Sequence, residues 1–149
     1  MRPCLFLSLY RKEVSMEIGY GTYGMQPLDT FEILPRIRKI GYEAVEINVG
    51  NDWPTAPHKL DAGARTRLVD ALKAEGFPPP VLMAGLPVCV RGEARPPMLE
   101  RLDAVCALAR DLNFGDGPAV IVSTLGGVRD SWDEEKQWIC DGLLELAER

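Results

Sequence analysis

The sequence is short of the residues that metal and nucleophile chemistry use most. It holds one histidine, His58, and four cysteines, Cys4, Cys89, Cys106 and Cys140. No two cysteines have the spacing of a zinc knuckle or a redox pair, and no ligand cluster surrounds His58. Cys106 falls in a helical pattern and reads as a small apolar residue. Scattered reduced thiols suit the cytoplasm, which is the expected compartment. An excess of basic charge is lacking too: the formal net charge is −5 over 149 residues, with acids and bases interspersed. No basic face is clustered for a phosphate backbone, so no nucleic-acid partner is expected. No apolar run is long enough to span a bilayer, so no membrane partner is expected either. The nearest run, CLFLSLY after Arg2, is short and leads into Arg11-Lys12-Glu13, where a signal peptide needs small residues. Residues 1–15 are expected to be a disordered extension, and residues 16–149 a single domain.

What is present is an α/β alternation. The hydrophobic share of 46% is enough for a core. Period-2 and period-3.6 patterns predict strands over Glu17–Thr22, Tyr42–Val49, Pro80–Leu86 and Ala119–Thr124. Helices are predicted from Asp29 to the stop at Gly41, from Asp61 to Glu75 with Gly76 at its end, from Pro97 to Leu112, and from Ser131 to the last residue. Asp29 with Glu32, and Ser131 with Glu134, read as capping boxes. Phe31, Leu34, Ile37 and Ile40 form the apolar stripe of the first helix, which Pro35 should kink. Leu102, Val105, Ala109 and Leu112 point inward from the third, and Trp132 and Trp138 read as packing residues of the fourth. Strands alternating with helices imply parallel pairing and right-handed crossovers.

GYGTYG at Gly19–Gly24 spells G-x-G-x-x-G, and Glu43 or Glu46 follows at about the distance of a ribose-binding acid. In a dinucleotide site, however, the helix N-terminus meets the pyrophosphate directly. Here Met25-Gln26-Pro27-Leu28 intervenes before the acidic cap Asp29. A tight turn after the first strand therefore competes with a nucleotide site, and wins on geometry. In the second strand, alternation puts Val45, Ile47 and Val49 on one face and Ala44, Glu46 and Asn48 on the other. The first face suits packing under helices. The second suits a barrel interior with a polar mouth, and Glu46 either points toward a site or is a strand-end carboxylate exposed to water.

The strand ends supply further candidates. Trp53 is either a lid aromatic or an anchor of the loop GNDWPTAPHKLD. His58, in the same loop, either touches a ligand or is simply solvated. Thr124 either bonds a ligand or bonds nearby backbone. Gly126-Gly127 either cradles a phosphate with backbone N–H groups or makes a bare turn.

Three stretches, IRKIGYEAVEI, NDWPTAPHKLD and VIVSTLGG, in this order and spacing, resemble the N-terminal half of sugar phosphate isomerases and epimerases of the xylose isomerase-like TIM-barrel superfamily. The resemblance starts at Met16. It implies an α/β fold holding the first four units of a (β/α)₈ barrel. It also implies a sugar or sugar phosphate substrate and a divalent metal, Mg²⁺, Mn²⁺ or Zn²⁺, at the mouth. The metal stabilises charge on oxygen while acidic residues move a proton between adjacent carbons. In that family the metal ligands come from strands five to eight, which would lie beyond Arg149. The expectation is a half-barrel that is inactive alone, holds no metal tightly, and either self-associates or needs a C-terminal half. By this reading the substrate-side candidates are Glu46, Asn48, Trp53, His58, Thr124, Gly126 and Gly127.

Overall fold

The computed structural model describes residues 16–26, 28–126 and 131–147. The extension expected over residues 1–15 lies outside them. Strand β1 (Gly19–Gly21) leads through a 3₁₀ turn to helix α1 (Thr30–Ile40). β2 (Ala44–Asn48), α2 (Ala62–Ala74), β3 (Val81–Pro87), α3 (Arg95–Asp111), β4 (Val120–Thr124) and α4 (Trp132–Ala147) follow in turn. The four strands pair in parallel in the order β1-β2-β3-β4. Among the described residues, no helix is long and apolar enough to cross a membrane.

A strand order that never reverses, joined by right-handed crossovers, places successive helices on one side of the sheet. Burial follows that rule. Val45 and Ile47 of β2, with Leu82, Ala84 and Leu86 of β3, share one core with Ile33, Leu34 and Ile37 of α1, Leu68 and Leu72 of α2, and Val105 and Leu108 of α3. The opposite face carries Gly19, Gly21, Ala44, Glu46, Val81, Met83, Val120 and Val122, none of them fully buried. The chain is therefore mixed α/β, with a parallel four-stranded sheet covered by helices on one side. This is compatible with one half of a closed eight-stranded barrel.

Local chemistry explains the helix ends. The Asp29 carboxylate accepts from the Phe31 N–H at 2.7 Å, and the Asp61 carboxylate from the Ala64 N–H at 2.7 Å, each satisfying an orphan donor. At the other ends Gly41 (φ 110°) and Gly76 (φ 69°) take the left-handed conformation. The next residues, Tyr42 and Phe77, then donate back to Ile37 and Leu72 and tuck into the core. Other expectations need correcting. Glu32 pairs with Arg36 one turn on, the ordinary i,i+4 alternative to a capping box. Phe31 and Ile40 are exposed while Ile33 is buried, so the stripe of α1 is rotated toward Ile33. α3 begins at Arg95 and buries Met98 and Leu108 as well as Val105 and Ala109. In α4, Ile139 is buried but Trp132 is exposed. The Glu134 side chain of the second proposed capping box lies outside the described ones.

β3 bulges before it ends. Met83 lies opposite Val122 and Pro87 opposite Thr124, so β3 spends two residues more than β4 over the same span. Gly85, at φ 59°, absorbs the bend. The Ser123 hydroxyl replaces the lost ladder, accepting from the Leu86 N–H at 3.1 Å and donating to the Leu86 carbonyl at 2.6 Å. Ser123→Ala is expected to destabilise by about 1–2 kcal/mol, because it strips a half-buried N–H of its partner. A lower urea midpoint at unchanged slope is the readout, and an unchanged midpoint would contradict this role.

Candidate functional site

The C-terminal ends of the parallel strands carry the candidate site. Glu46 stands on the uncovered face of β2, opposite Gly21 of β1 and Val81 of β3. A methyl group on Gly21 would lie 2.9 Å from Glu46 Oε1. The absent side chain of Gly21 is the space that the carboxylate uses. Gly19 and Gly21 therefore belong to a strand, and Gly24 to the 3₁₀ turn Thr22–Met25. α1 starts only at Thr30, behind the Asp29 carboxylate. Among the described residues the strand order does not reverse, so the sheet they form has no switch-point crevice of the dinucleotide-binding kind.

Asn48, next along the same face, is buried and works as a junction. Its backbone N–H donates to Thr22 Oγ1 at 2.9 Å, its carbonyl accepts from Thr55 Oγ1, and its side-chain Oδ1 accepts from the Gly50 N–H at 2.9 Å. These bonds tie the β1 turn, the end of β2 and the following loop into one unit. Thr22 and Thr55 were not legible in the sequence, since each acts on a residue distant along the chain. Asn48 Nδ2 has no hydrogen-bond partner among the described residues and remains able to donate.

Beyond this junction Trp53 packs on Gly50, where a Cβ would come within 2.8 Å of its Cδ1. Its ring meets that of Tyr23, with centroids 6.0 Å apart and planes tilted 33°. Tyr23 was missed by the sequence reading, because only the fold brings the two loops together. Arg65 holds this loop from below. Its guanidinium donates to the carbonyls of Leu60 and Pro57, both at 3.0 Å, and to Asp111 at 2.6 Å.

The other candidates are not brought into this group. His58 is exposed, farther along the same loop. Thr124 lies on β4, two strands and about 10 Å from β2. Its hydroxyl donates to the Leu86 carbonyl at 3.0 Å, beside Ser123. Gly126 turns the chain at φ 92°. Gly127 lies outside the described residues. On the β3–α3 loop, burial pushes the Cys89 thiol above its ordinary pKa, and the nearby Arg95 acts in the opposite direction.

A half-buried carboxylate and an amide donor on β2 can form hydrogen bonds, and the Tyr23–Trp53 pair beyond β2 offers aromatic faces. Among the described residues no group of His, Cys, Asp and Glu gathers as a metal site would need. No protein-family model matches the chain, and no curated protein matches it.

Gly21→Ala separates the site from the fold. The clashing atom is the tip of a flexible side chain, so Glu46 can swing away at little cost. The stability change is expected to stay within about 1 kcal/mol. The displaced carboxylate should appear as altered amide shifts around Glu46 in an NMR comparison. A loss of several kcal/mol would mean that Glu46 cannot swing away from Gly21.

Proposed function

We infer that residues 16–149 form the N-terminal half of a metal-dependent sugar or sugar phosphate isomerase or epimerase of the xylose isomerase-like barrel superfamily. Such an enzyme acts in the cytoplasm by moving a proton between adjacent carbons. The observation that carries this reading is Glu46. It is the one acid within the four strands to stand on the helix-free face, in a space left by Gly21 and two residues before Asn48 along β2. In this reading its carboxylate accepts or returns a proton at Oε1, and Asn48 Nδ2 donates to a substrate oxygen. Among the described residues no group of His, Cys, Asp and Glu gathers to hold a divalent ion. The resemblance would put the ligands on strands five to eight of a C-terminal half, and no step through a metal is derived from this chain. Alone, the chain is expected to bind sugar weakly and to turn none over.

Tryptophan fluorescence tests this reading. Titration with ketoses and ketose phosphates should perturb emission in the millimolar range. The response should persist in Trp132→Phe and Trp138→Phe, and vanish in Trp53→Phe and Glu46→Ala. Micromolar NAD(H) or NADP(H) binding, lost on Gly21→Val, would replace it with a nucleotide-binding reading that uses Gly19, Gly21, Gly24 and Glu46.

A further inference from the structure

We propose that two copies of this chain close one barrel, with β4 of each copy beside β1 of the other and α4 of each packed on α1 of the other. This rests on the half-barrel architecture and not on the sugar chemistry.

The first ground is the pair of free edges. Among the described residues β1 and β4 each have one strand neighbour, and both edges run parallel to the rest of the sheet. A two-fold axis running along the strands, the axis of the closed barrel, sets β4 beside β1 of the second copy, and β1 beside its β4, in the parallel sense. Four and four strands then make the smallest common closed barrel, with an interior that side chains can fill. No edge remains to template further association.

The second ground is where apolar surface is left open. Ile18, just before β1, and Ile40, at the end of α1, are exposed. At the other side Val120 of β4 and Trp132, Leu143 and Leu144 of α4 are exposed as well. Leu144 and Ile40 expose 65% and 70% of their surface. The central elements β2, α2, β3 and α3 contribute no large exposed hydrophobic residue. Exposed apolar surface is therefore confined to the flanking elements and loops, as expected where each flank is one side of a shared junction.

The third ground is charge, and it selects a second copy over an unrelated partner. α1 carries Arg36, Arg38 and Lys39 against the single acid Glu32. α4 carries five acids against the single base Lys136. Two of those acids, Glu135 and Glu145, are engaged by Arg91 and Arg95, which still leaves α4 with an excess of two acids facing an excess of two bases on α1. The two flanks of one chain are thus complementary to each other, and a second copy presents both at once. In the closed form each copy supplies Glu46, Asn48 and Trp53 to one shared mouth, so the site is incomplete in a single chain.

The experiment is light scattering coupled to size exclusion on the full 149-residue chain, with two charge-reversed variants. R36E/K39E makes both flanks acidic, and D133K/D141K makes both basic. The wild type should elute as one species of about 33 kDa, twice the 16.5 kDa of one chain. Each variant alone should dissociate at least tenfold more readily, and an equimolar mixture of the two should regain wild-type dimer strength. A wild-type monomer at tens of micromolar would overturn the proposal and mean that another part of the chain covers the edges. A polydisperse series above 33 kDa would overturn the closed form in favour of open stacking. A dimer that ignores both reversals would overturn the α4–α1 junction. The sugar titration can fail or succeed independently of all three.

Discussion

Leu82→Ala is expected to destabilise the fold by about 2–5 kcal/mol, while Val120→Ala costs well under 1 kcal/mol. Both residues lie in the sheet, and their strands are neighbours. Leu82 points toward the helices, with 1% of its surface exposed, in the row Ile47–Leu82–Ile121. Truncating it removes several buried methyl groups and leaves a cavity that α2 and α3 cannot fill without breaking their own packing. Val120 points to the uncovered side and is 47% exposed, so its truncation removes little that was hidden from water. A domain of this size holds only about 5–15 kcal/mol in total, so the first change is a large fraction of the whole. Urea denaturation of the two variants at low protein concentration, where association is absent, reads the difference. Equal costs would mean that both faces of the sheet are covered, as in a doubly wound fold.

Arg65→Ala is expected to cost about 1–3 kcal/mol and to loosen the loop that carries Thr55 and Trp53. One guanidinium bonds two loop carbonyls and the Asp111 carboxylate at the end of α3. The carboxylate contact is half-exposed and contributes little, so most of the effect comes from the Leu60 and Pro57 carbonyls. Arg65→Lys should rescue poorly, since an ammonium cannot serve three acceptors set out for a planar fork. Amide exchange should accelerate across residues 53–60 in both variants and stay unchanged in α1. Intact protection of that loop in Arg65→Ala would show that the Asn48–Thr55 junction holds it unaided.

Much of the fold was legible because its signals are local. Asp29, Gly41, Asp61 and Gly76 end two helices through caps that involve only nearby residues. The α/β alternation follows from periodicity, and the facing of β2 from its Val45-Ile47 and Glu46-Asn48 rows. What was misread depends on partners distant in sequence. A helical stripe gives the width of an apolar face but not which edge meets the sheet. Ile33 could therefore replace Phe31 in the core, and Ile40 could face the open flank. Trp132 reads as a packing residue by composition and stands exposed at the start of α4. β1 is three residues long because its pairing begins only at Gly19–Ala44.

The site divides the same way. The inward aim of Glu46 came from alternation alone. The meaning of Gly21 needed the register that sets it opposite Glu46, and without that register the glycines imitate a phosphate loop. Thr22, Tyr23 and Thr55 became visible only when the fold joined two loops. Thr124 read equally as a ligand contact or a backbone bond, and its hydroxyl donates to Leu86 at the β3 bulge.

The most direct measurement is an amide NMR titration of the ¹⁵N-labelled chain with a ketose phosphate, repeated on Glu46→Gln. The half-barrel isomerase reading expects shifts confined to Gly21–Tyr23, Glu46–Gly50 and Trp53–Thr55, and their loss in Glu46→Gln while the remaining spectrum is unchanged. Shifts that leave Glu46 and Trp53 untouched, or that persist unaltered in Glu46→Gln, would contradict it.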